Sequence, residues 1–384
     1  MRAIVLGCGN IGSAIARDLA DSTDGLEVSV ADKNRDRAEA AASSMSGADW
    51  LAIDATDHDG LVEALGGFDL AVGALPGDHG HRAMEAAVEA GVDMVDISFA
   101  PEDPLALDGA AEEAGVAIVP DCGVAPGLSN ILVGSAAAGL DGVREVHIMV
   151  GGLPVHPVPP LGYTVTWSTE GLIDEYTRRP LILEGGRIVE VPPLSGLEEV
   201  DFPGVGSLEA FYTDGLRTLL RTMAGVESMW EKTLRYPGHV EKIGLLKALG
   251  FFDDEPMEVR GAWLPPRLMT ARILERNLMR PEVEDILAMT VEVSGMSRGR
   301  GALFNYRVLD RYDRSKGVTA MARTTAYTAS IVARKLAEGA IKGRGVIPPE
   351  RLGMDAALLK DILSELRKRG INVEETVTDG GIRR

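Results

Sequence analysis

Residues 3–32 of the chain read AIVLGCGNIGSAIARDLADSTDGLEVSVAD. An apolar run at 3–6 leads directly into Gly7-x-Gly9-x-x-Gly12. A helical pattern follows, and a second apolar run ends on Asp32. Strand, glycine turn, helix, strand and acid, in that order, is the layout a dinucleotide site requires. Gly7 permits the tight turn, Gly9 lets the backbone approach a pyrophosphate, and Gly12 lets the helix lie close against its strand. The amides that open the helix, Asn10 and Ile11 among them, then face the phosphates, where the helix dipole favours negative charge. Asp32 is placed to accept hydrogen bonds from the adenosine ribose hydroxyls.

A chain of 384 residues is long enough for two domains, each with its own core. Hydrophobic residues make up 45%, but Gly, Asp or Arg interrupts the longest apolar runs, so none reads as a membrane span. A first strand that begins by residue 3 leaves no room for a signal peptide. Cys8 and Cys122 are the only cysteines, and neither has metal-type spacing. No metal is expected, and a cytoplasmic protein without disulfides is the natural reading. The net charge of −19 argues against nucleic acid as a partner, because phosphate binding needs a basic face.

The first 120 residues alternate short β-rich runs (3–6, 27–31, 50–54, 70–74, 94–97 and 117–120) with helical patterns (12–19, 35–44, 60–65, 80–90 and 105–114). This describes an α/β Rossmann domain, a doubly wound parallel sheet buried on both faces. Functional groups in such a sheet sit beyond the carboxyl ends of the strands. That rule selects Asp32, Asp54, the Ala74-Leu75-Pro76-Gly77 turn, Asp96-Ile97-Ser98 and Asp121-Cys122-Gly123. After Asp121 the pattern changes. Longer alternating runs at 145–150, 162–168, 187–191, 286–295 and 302–312 interleave with helical ones at 213–223, 241–249 and 267–278. They predict an inserted α+β domain with a mainly antiparallel sheet, in which the last two strands pair. Helices at 320–340 and 349–369 close the chain. The expected division is 1–124 for the nucleotide domain, 125–318 for the substrate and dimerisation domain, and 319–384 for helices that pack back on the first.

Several segments carry a resemblance: Leu75-Pro76-Gly77, Val95-Asp96-Ile97-Ser98-Phe99, Pro101-Glu102-Asp103-Pro104 and Pro120-Asp121-Cys122-Gly123-Val124-Ala125-Pro126-Gly127-Leu128-Ser129-Asn130. Further along stand Thr166-Trp167-Ser168, Tyr212-Thr213-Asp214-Gly215-Leu216-Arg217 and Thr233-Leu234-Arg235-Tyr236-Pro237-Gly238-His239. Through them the chain resembles the saccharopine dehydrogenase-like superfamily, and within it the L-lysine 6-dehydrogenase branch. The resemblance implies hydride exchange between a nicotinamide ring and a carbon bearing nitrogen. For the lysine branch it implies NAD-dependent oxidation of the ε-amino group to 2-aminoadipate 6-semialdehyde, with ammonia released and the product cyclising to piperideine-6-carboxylate. Two alternatives stand beside it. One is an NADPH-dependent reductase of a larger imine, of the saccharopine or carboxynorspermidine type. The other is a nicotinamide-nucleotide-binding sensor without turnover. The resemblance and the extended middle sheet also imply a homodimer or higher homo-oligomer.

Oxidising a primary amine by hydride removal needs a proton acceptor and a reacting carbon at roughly 3–3.5 Å from the nicotinamide. Lysine also needs a site for its α-carboxylate and α-ammonium. Arg235 is the first candidate for the carboxylate and Arg217 the second, since guanidinium matches a carboxylate as a planar fork. Asp214 could receive the ammonium or cap the helix expected beside it. His239, read on a Pro-Gly loop, is the candidate proton acceptor because imidazole titrates near neutrality. Asp96 and Asp121 could orient the amine or a water, or fix their loops. Cys122 is a candidate contact to ring or substrate, without nucleophilic chemistry. Tyr163 and Trp167 share a face of the strand expected at 162–168, opposite Ser168. They would form an apolar wall for the lysine chain or part of the core, and Ser168 is a further substrate candidate. The cofactor set is completed by Lys33, Asp54, Ala74, Leu75, Pro76 and Ser98. Asp32 would repel a 2′-phosphate, which favours NAD over NADP, although Lys33 and Arg35 follow it closely.

Overall fold

The computed structural model describes residues 1–21, 25–280 and 282–379. It divides into two compact units: Met1–Asp141, Arg217–Thr222 and Ala322–Val373 form the first, and Gly142–Leu216, Met223–Met321 and the described part of Glu374–Arg384 form the second. The changes therefore fall at 141/142 and 321/322 rather than 124/125 and 318/319, with a six-residue excursion at 217–222. Among the described residues no helix is long and apolar enough to cross a membrane.

The first unit opens with β1 (Arg2–Leu6), α1 (Asn10–Ala20), β2 (Glu27–Asp32), α2 (Arg35–Ser43), β3 (Asp49–Ala52) and α3 (His58–Leu65). It continues through β4 (Leu70–Gly73), α4 (Gly77–Ala90), β5 (Asp93–Asp96), α5 (Asp108–Ala114), β6 (Ala117–Val119) and α6 (Leu128–Ala138). The strands lie in the order β3-β2-β1-β4-β5-β6, all parallel. Their aliphatic residues are covered by helices, and Ile4, Leu6, Met94 and Ile118 pack with Leu61, Leu65 and Met84 in one core. Strand order reverses between β1 and β4, so the crevice beyond their carboxyl ends is where such a sheet takes a ligand.

The second unit is built on β7 (Gly142–Pro154), followed by α7 (Thr169–Thr177), β8 (Leu181–Glu184), β9 (Arg187–Glu190), β10 (Glu198–Phe202) and β11 (Gly206–Tyr212). Next come α8 (Leu219–Thr222, in the first unit), β12 (Ser228–Arg235), α9 (His239–Ala248), β13 (Met257–Val259), β14 (Ala262–Leu264), α10 (Pro266–Leu278), β15 (Asp285–Ser297) and β16 (Arg300–Arg311). The chain ends with α11 (Ala320–Ala337), β17 (Gly345–Val346), α12 (Pro349–Met354), α13 (Ala356–Lys368) and β18 (Val373–Asp379). The large second sheet runs β10-β11-β12-β7-β15-β16-β18; β12 meets β7 parallel, while β10–β11, β11–β12, β7–β15 and β15–β16 pair antiparallel. β17 adds a seventh parallel strand beside β6. Asp18 of α1 accepts from Ser330 of α11 at 2.6 Å and from Arg369, just past α13, at 2.7 Å.

Three expected elements differ. Residues 162–168 form no strand, because their backbone finds a helix end instead: Val165 N and Thr164 Oγ1 both donate to the Leu278 carbonyl. The helix expected at 213–223 shrinks to α8. Thr213 N still donates to the Glu231 carbonyl as strand-like backbone, and Arg217 takes a positive φ of 52° that no α-helix contains. The helix expected at 349–369 breaks at Asp355, whose carboxylate caps α13 through the amides of Ala357 and Leu358.

Candidate active site

The glycine turn of the first unit has the shape its spacing predicts. Gly7 holds φ at 99°, and a Cβ there or on Gly12 would collide with a backbone carbonyl, that of Ala74 or of Gly7 respectively. Gly9 differs, since a Cβ there would meet nothing within 4 Å. That open side, at the start of α1 where no side chain caps the helix, is the space a pyrophosphate would fill. Asn10 and Ile11 supply the first amides of α1.

Asp32 is nearly buried at the end of β2. Its carboxylate accepts from Cys8 N and Asn34 N, both at 2.9 Å, with Arg37 Nη1 at 3.7 Å. It therefore braces the glycine turn. Lys33 is exposed beside it, while Arg35 turns away to lie over Trp50 at 5.1 Å. Asp54, exposed after β3, accepts from Thr56 N and Oγ1. These bonds hold its carboxyl below the usual range, and the charges of Lys33 and His79 add to them. Ala74 N donates to the Leu6 carbonyl, Leu75 packs against the core, and Pro76 leads into α4. These residues fit a nicotinamide dinucleotide.

Farther along the same strand ends the expected contacts turn inward. Asp96 is 0% exposed. One oxygen accepts from Ser98 N at 2.8 Å and from Ser98 Oγ, and the other is buried without a hydrogen-bond partner. Gly73 and Gly80 leave the room that this pair occupies. Burial pushes the Asp96 carboxyl up to about 7. Ser98 is spent on Asp96 and offers no surface to a cofactor. Cys122 is also 0% exposed, its amide bound to the Asp96 carbonyl at 2.7 Å, and burial pushes its thiol well up. Its side chain lies wholly inside the protein rather than at a surface open to ring or substrate.

Asp121, at φ 51°, is paired with Arg217 Nε at 3.1 Å. Arg217 also donates to the Glu102 carbonyl at 3.3 Å and lies over Phe99. The excursion that carries it is fastened again by Thr218 and Thr222, which both donate to the buried Glu350 of α12. Arg217 and Asp121 thus neutralise one another.

In the second unit, Arg235 is 2% exposed at the end of β12. It donates to Glu175 Oε1 at 2.6 Å and to the Leu234 carbonyl at 2.9 Å, and its guanidinium lies 4.5 Å from the Tyr163 ring centre. It sits in no loop, and its charge is already matched. Tyr163 accepts from Trp167 Nε1 at 3.2 Å, and both rings belong to the core around Leu172, Tyr176 and Phe211. Ser168 caps α7 by accepting from Gly171 N.

His239 opens α9 and is buried. Its Nδ1 lies 2.9 Å from the Leu161 carbonyl, an acceptor only, so Nδ1 carries the proton and Nε2 accepts from Tyr176 Oη at 2.8 Å. Burial, together with the Arg235 charge, pushes its pKa down to about 3. His239 is a neutral strut rather than a proton acceptor near pH 7.

Sequence reasoning passed over Glu175 and Glu231, since a single Glu on a helix or strand reads as a solvent position. Glu231 lies buried, hydrogen-bonded by Thr213 Oγ1 at 2.5 Å, and burial pushes it up to about 8, with Glu175 and half-buried Asp214 adding to the rise. Gly215 leaves room for it. Together Asp214, Glu175 and Glu231 give this part of the unit an acidic character that Arg235 offsets. Among the described residues no group of three His, Cys, Asp or Glu side chains is arranged to hold a metal.

Two family models match the chain. The saccharopine dehydrogenase NADP binding domain covers residues 3–119, and the saccharopine dehydrogenase C-terminal domain covers 123–371. Saccharopine dehydrogenase [NADP(+), L-glutamate-forming] of Schizosaccharomyces pombe is 25% identical over 270 residues, 65% of this chain and 58% of that protein. The Saccharomyces cerevisiae protein of the same name is 24% identical, over 67% of this chain and 59% of its own length. The mitochondrial alpha-aminoadipic semialdehyde synthase of Mus musculus is 26% identical, over 51% of this chain and 22% of its own. The matches thus span less than two thirds of each relative. In structure, the apo Saccharomyces cerevisiae saccharopine dehydrogenase (L-Glu forming) aligns over 98% of this chain and 99% of that one, with a TM-score of 0.79 at 20% identity. The two share a fold.

Proposed function

The chain belongs to the saccharopine dehydrogenase family, and on that premise we propose that it is a nicotinamide-dependent oxidoreductase that oxidises the ε-amino group of L-lysine. The product would be 2-aminoadipate 6-semialdehyde, with ammonia released. One observation carries the choice of substrate. Both candidate carboxylate anchors are neutralised inside their own units, Arg217 by Asp121 and Arg235 by Glu175. A small amino acid with one carboxylate and two amines suits such a chain better than a substrate bearing several carboxylates.

When bound, the nicotinamide supplies the hydride acceptor. The first unit holds the dinucleotide by the Gly9 opening, the α1 amides and Asp32. We favour NAD, because a 2′-phosphate would have to approach the Asp32 carboxylate. The NADP-linked names of the relatives favour the second reading, an NADP-dependent enzyme of the saccharopine type.

The deciding assay follows reduced-nicotinamide absorbance with NAD or NADP and L-lysine, ornithine or saccharopine, with ammonia measured in parallel. Lysine-dependent reduction of NAD with stoichiometric ammonia supports the proposal. Turnover of saccharopine with NADP, and none of lysine, moves the assignment to the second reading. Cofactor binding without turnover of any substrate would favour a sensor.

A further inference from the structure

Glu350 of α12 is 0% exposed. Its carboxylate accepts from Thr218 Oγ1 at 3.0 Å and from Thr222 Oγ1, one oxygen for each hydroxyl. The two threonines are four residues apart, on one face of the short α8 segment. Burial raises the Glu350 carboxyl, and the two hydroxyls and the Asn130 side chain of α6 act against that rise. A carboxylate buried against neutral donors costs more than an apolar side chain would in the same place. What it supplies instead is direction, because its two acceptors fix the positions of two hydroxyls. Its own backbone is fixed as well. A Cβ on Gly134 of α6 would collide with the Glu350 carbonyl, and one on Gly353 of α12 with the Ile131 carbonyl, so α6 and α12 lie in close backbone contact.

The segment that Glu350 holds reaches a second place. Arg217, next to Thr218, donates to Asp121 Oδ2 at 3.1 Å and to the Glu102 carbonyl at 3.3 Å, and lies over Phe99. Asp121 stands early in the turn that joins β6 to α6. Asn130 stands at its far end, in the first turn of α6, with Oδ1 accepting from Ser129 Oγ at 2.9 Å. In a sheet of this strand order a dinucleotide lies across the crevice, its adenosine half beside Asp32 and its nicotinamide half beyond β4, β5 and β6. Phe99 and Glu102 follow β5 on that second half, and Asp121 follows β6. We propose that Glu350 is a positioning residue for the nicotinamide end of the site. Through Thr218 and Thr222 it sets where Arg217 stands, and through Arg217 it sets the turn after β6. The inference rests on the dinucleotide reading of the first unit, not on which amine is oxidised.

The test sets volume against hydrogen bonding. Thr218→Val with Thr222→Val keeps the volume and removes both hydroxyls, whereas Thr218→Ser with Thr222→Ser keeps the hydroxyls and loses two methyl groups. Glu350→Gln is the milder third variant, since it keeps one acceptor. Asp355→Ala, which uncaps α13, is the control for lost stability. Calorimetry measures binding of NAD or NADP, whichever the wild type prefers, and of the matching ADP-ribose, which lacks the nicotinamide ring. Hydrogen exchange by mass spectrometry follows the turn, where the amides of Cys122, Leu128 and Ser129 are bonded inside the protein. In the valine pair the dinucleotide should bind about tenfold more weakly while ADP-ribose stays within about twofold. Residues 121–130 should exchange faster, with 2–20 unchanged, and Glu350→Gln should move both readouts the same way by less. The serine pair and Asp355→Ala should keep wild-type binding and exchange of the turn. Equal weakening of both ligands, a serine pair as impaired as the valine pair, or unchanged exchange at 121–130 would overturn the proposal. No substrate enters either measurement, so inactivity toward lysine would sink the substrate reading and leave this one standing. A wild type that binds neither dinucleotide would overturn both.

Discussion

Arg235→Met separates a structural arginine from a substrate anchor. The guanidinium is 2% exposed, bound to Glu175 at 2.6 Å and laid over Tyr163. Methionine keeps much of the side-chain volume but leaves the Glu175 carboxylate in a site where burial already raises its pKa. Breaking a buried pair on one side costs about 3–5 kcal/mol, a 10²–10³-fold or larger shift toward the unfolded state at ~1.4 kcal/mol per factor of ten. Adding Glu175→Gln removes the stranded charge, so the double variant should recover more than half of that loss. The pH dependence has a definite sign. In the single variant Glu175 loses its cation, so its folded pKa rises further above the unfolded value. The folded state then holds the extra proton, and the loss relative to wild type shrinks as pH falls toward 5.

Urea titration read by circular dichroism and tryptophan fluorescence, with the slope checked for constancy, measures these differences. The outcome that refutes the reasoning is specific. If Arg235→Met loses less than about 1 kcal/mol while KM for lysine rises a hundredfold at unchanged kcat, Arg235 is a carboxylate anchor and its ion pair is incidental.

Gly9→Ala should leave the melting temperature within about 2 °C yet weaken dinucleotide binding at least tenfold by calorimetry, since its Cβ enters open space at the phosphate position. Gly12→Ala should instead fail to fold or lose several kcal/mol, because its Cβ meets the Gly7 carbonyl; equal effects of the two would contradict the assigned geometry. Asp96, pushed up to about 7 when folded against about 3.9 unfolded, holds a proton in the folded state that the unfolded chain has released. Its contribution is complete below about pH 4 and is lost as pH rises through 7, so Asp96→Asn should flatten the stability profile over that window. An unchanged profile would mean that Asp96 is ionised. The His239 imidazole, with its pKa down at about 3, should show constant NMR shifts from pH 5 to 9, and a titration near 6.5 would restore it as a proton acceptor.

The nucleotide domain was legible because its signals are local. Each parallel strand is a short run of β-branched or aliphatic residues, and Gly7, Gly9, Gly12 and Asp32 lie within one strand–helix–strand unit. Their spacing alone determines who meets whom. β10 and β12 were passed over for the opposite reason. Their sequences, Glu-Glu-Val-Asp-Phe and Ser-Met-Trp-Glu-Lys-Thr-Leu-Arg, place charges where an alternating pattern would put apolar residues. Those charges are paired across the sheet, as Lys232 is with Glu198 at 2.5 Å.

The same physics explains why the candidate site was misread more than the fold. A guanidinium or imidazole in a turn-rich motif is a sound candidate for substrate contact until its partner is known, and the partners lie far off in sequence. Glu175 is sixty residues from Arg235, Leu161 is seventy-eight from His239, and Asp121 is ninety-six from Arg217. A buried charge left alone would cost several kcal/mol, so burial and pairing arrive together, and both are properties of the folded chain rather than of any segment. Once paired, these groups lose the reactivity that made them candidates: Arg235 is neutralised, and His239 is held as the neutral tautomer. The residues that keep an open side are those with no long-range partner to find, Gly9 first among them. Mutagenesis aimed at chemistry should therefore begin at the open glycine turn, and treat Arg217, Arg235 and His239 as scaffold.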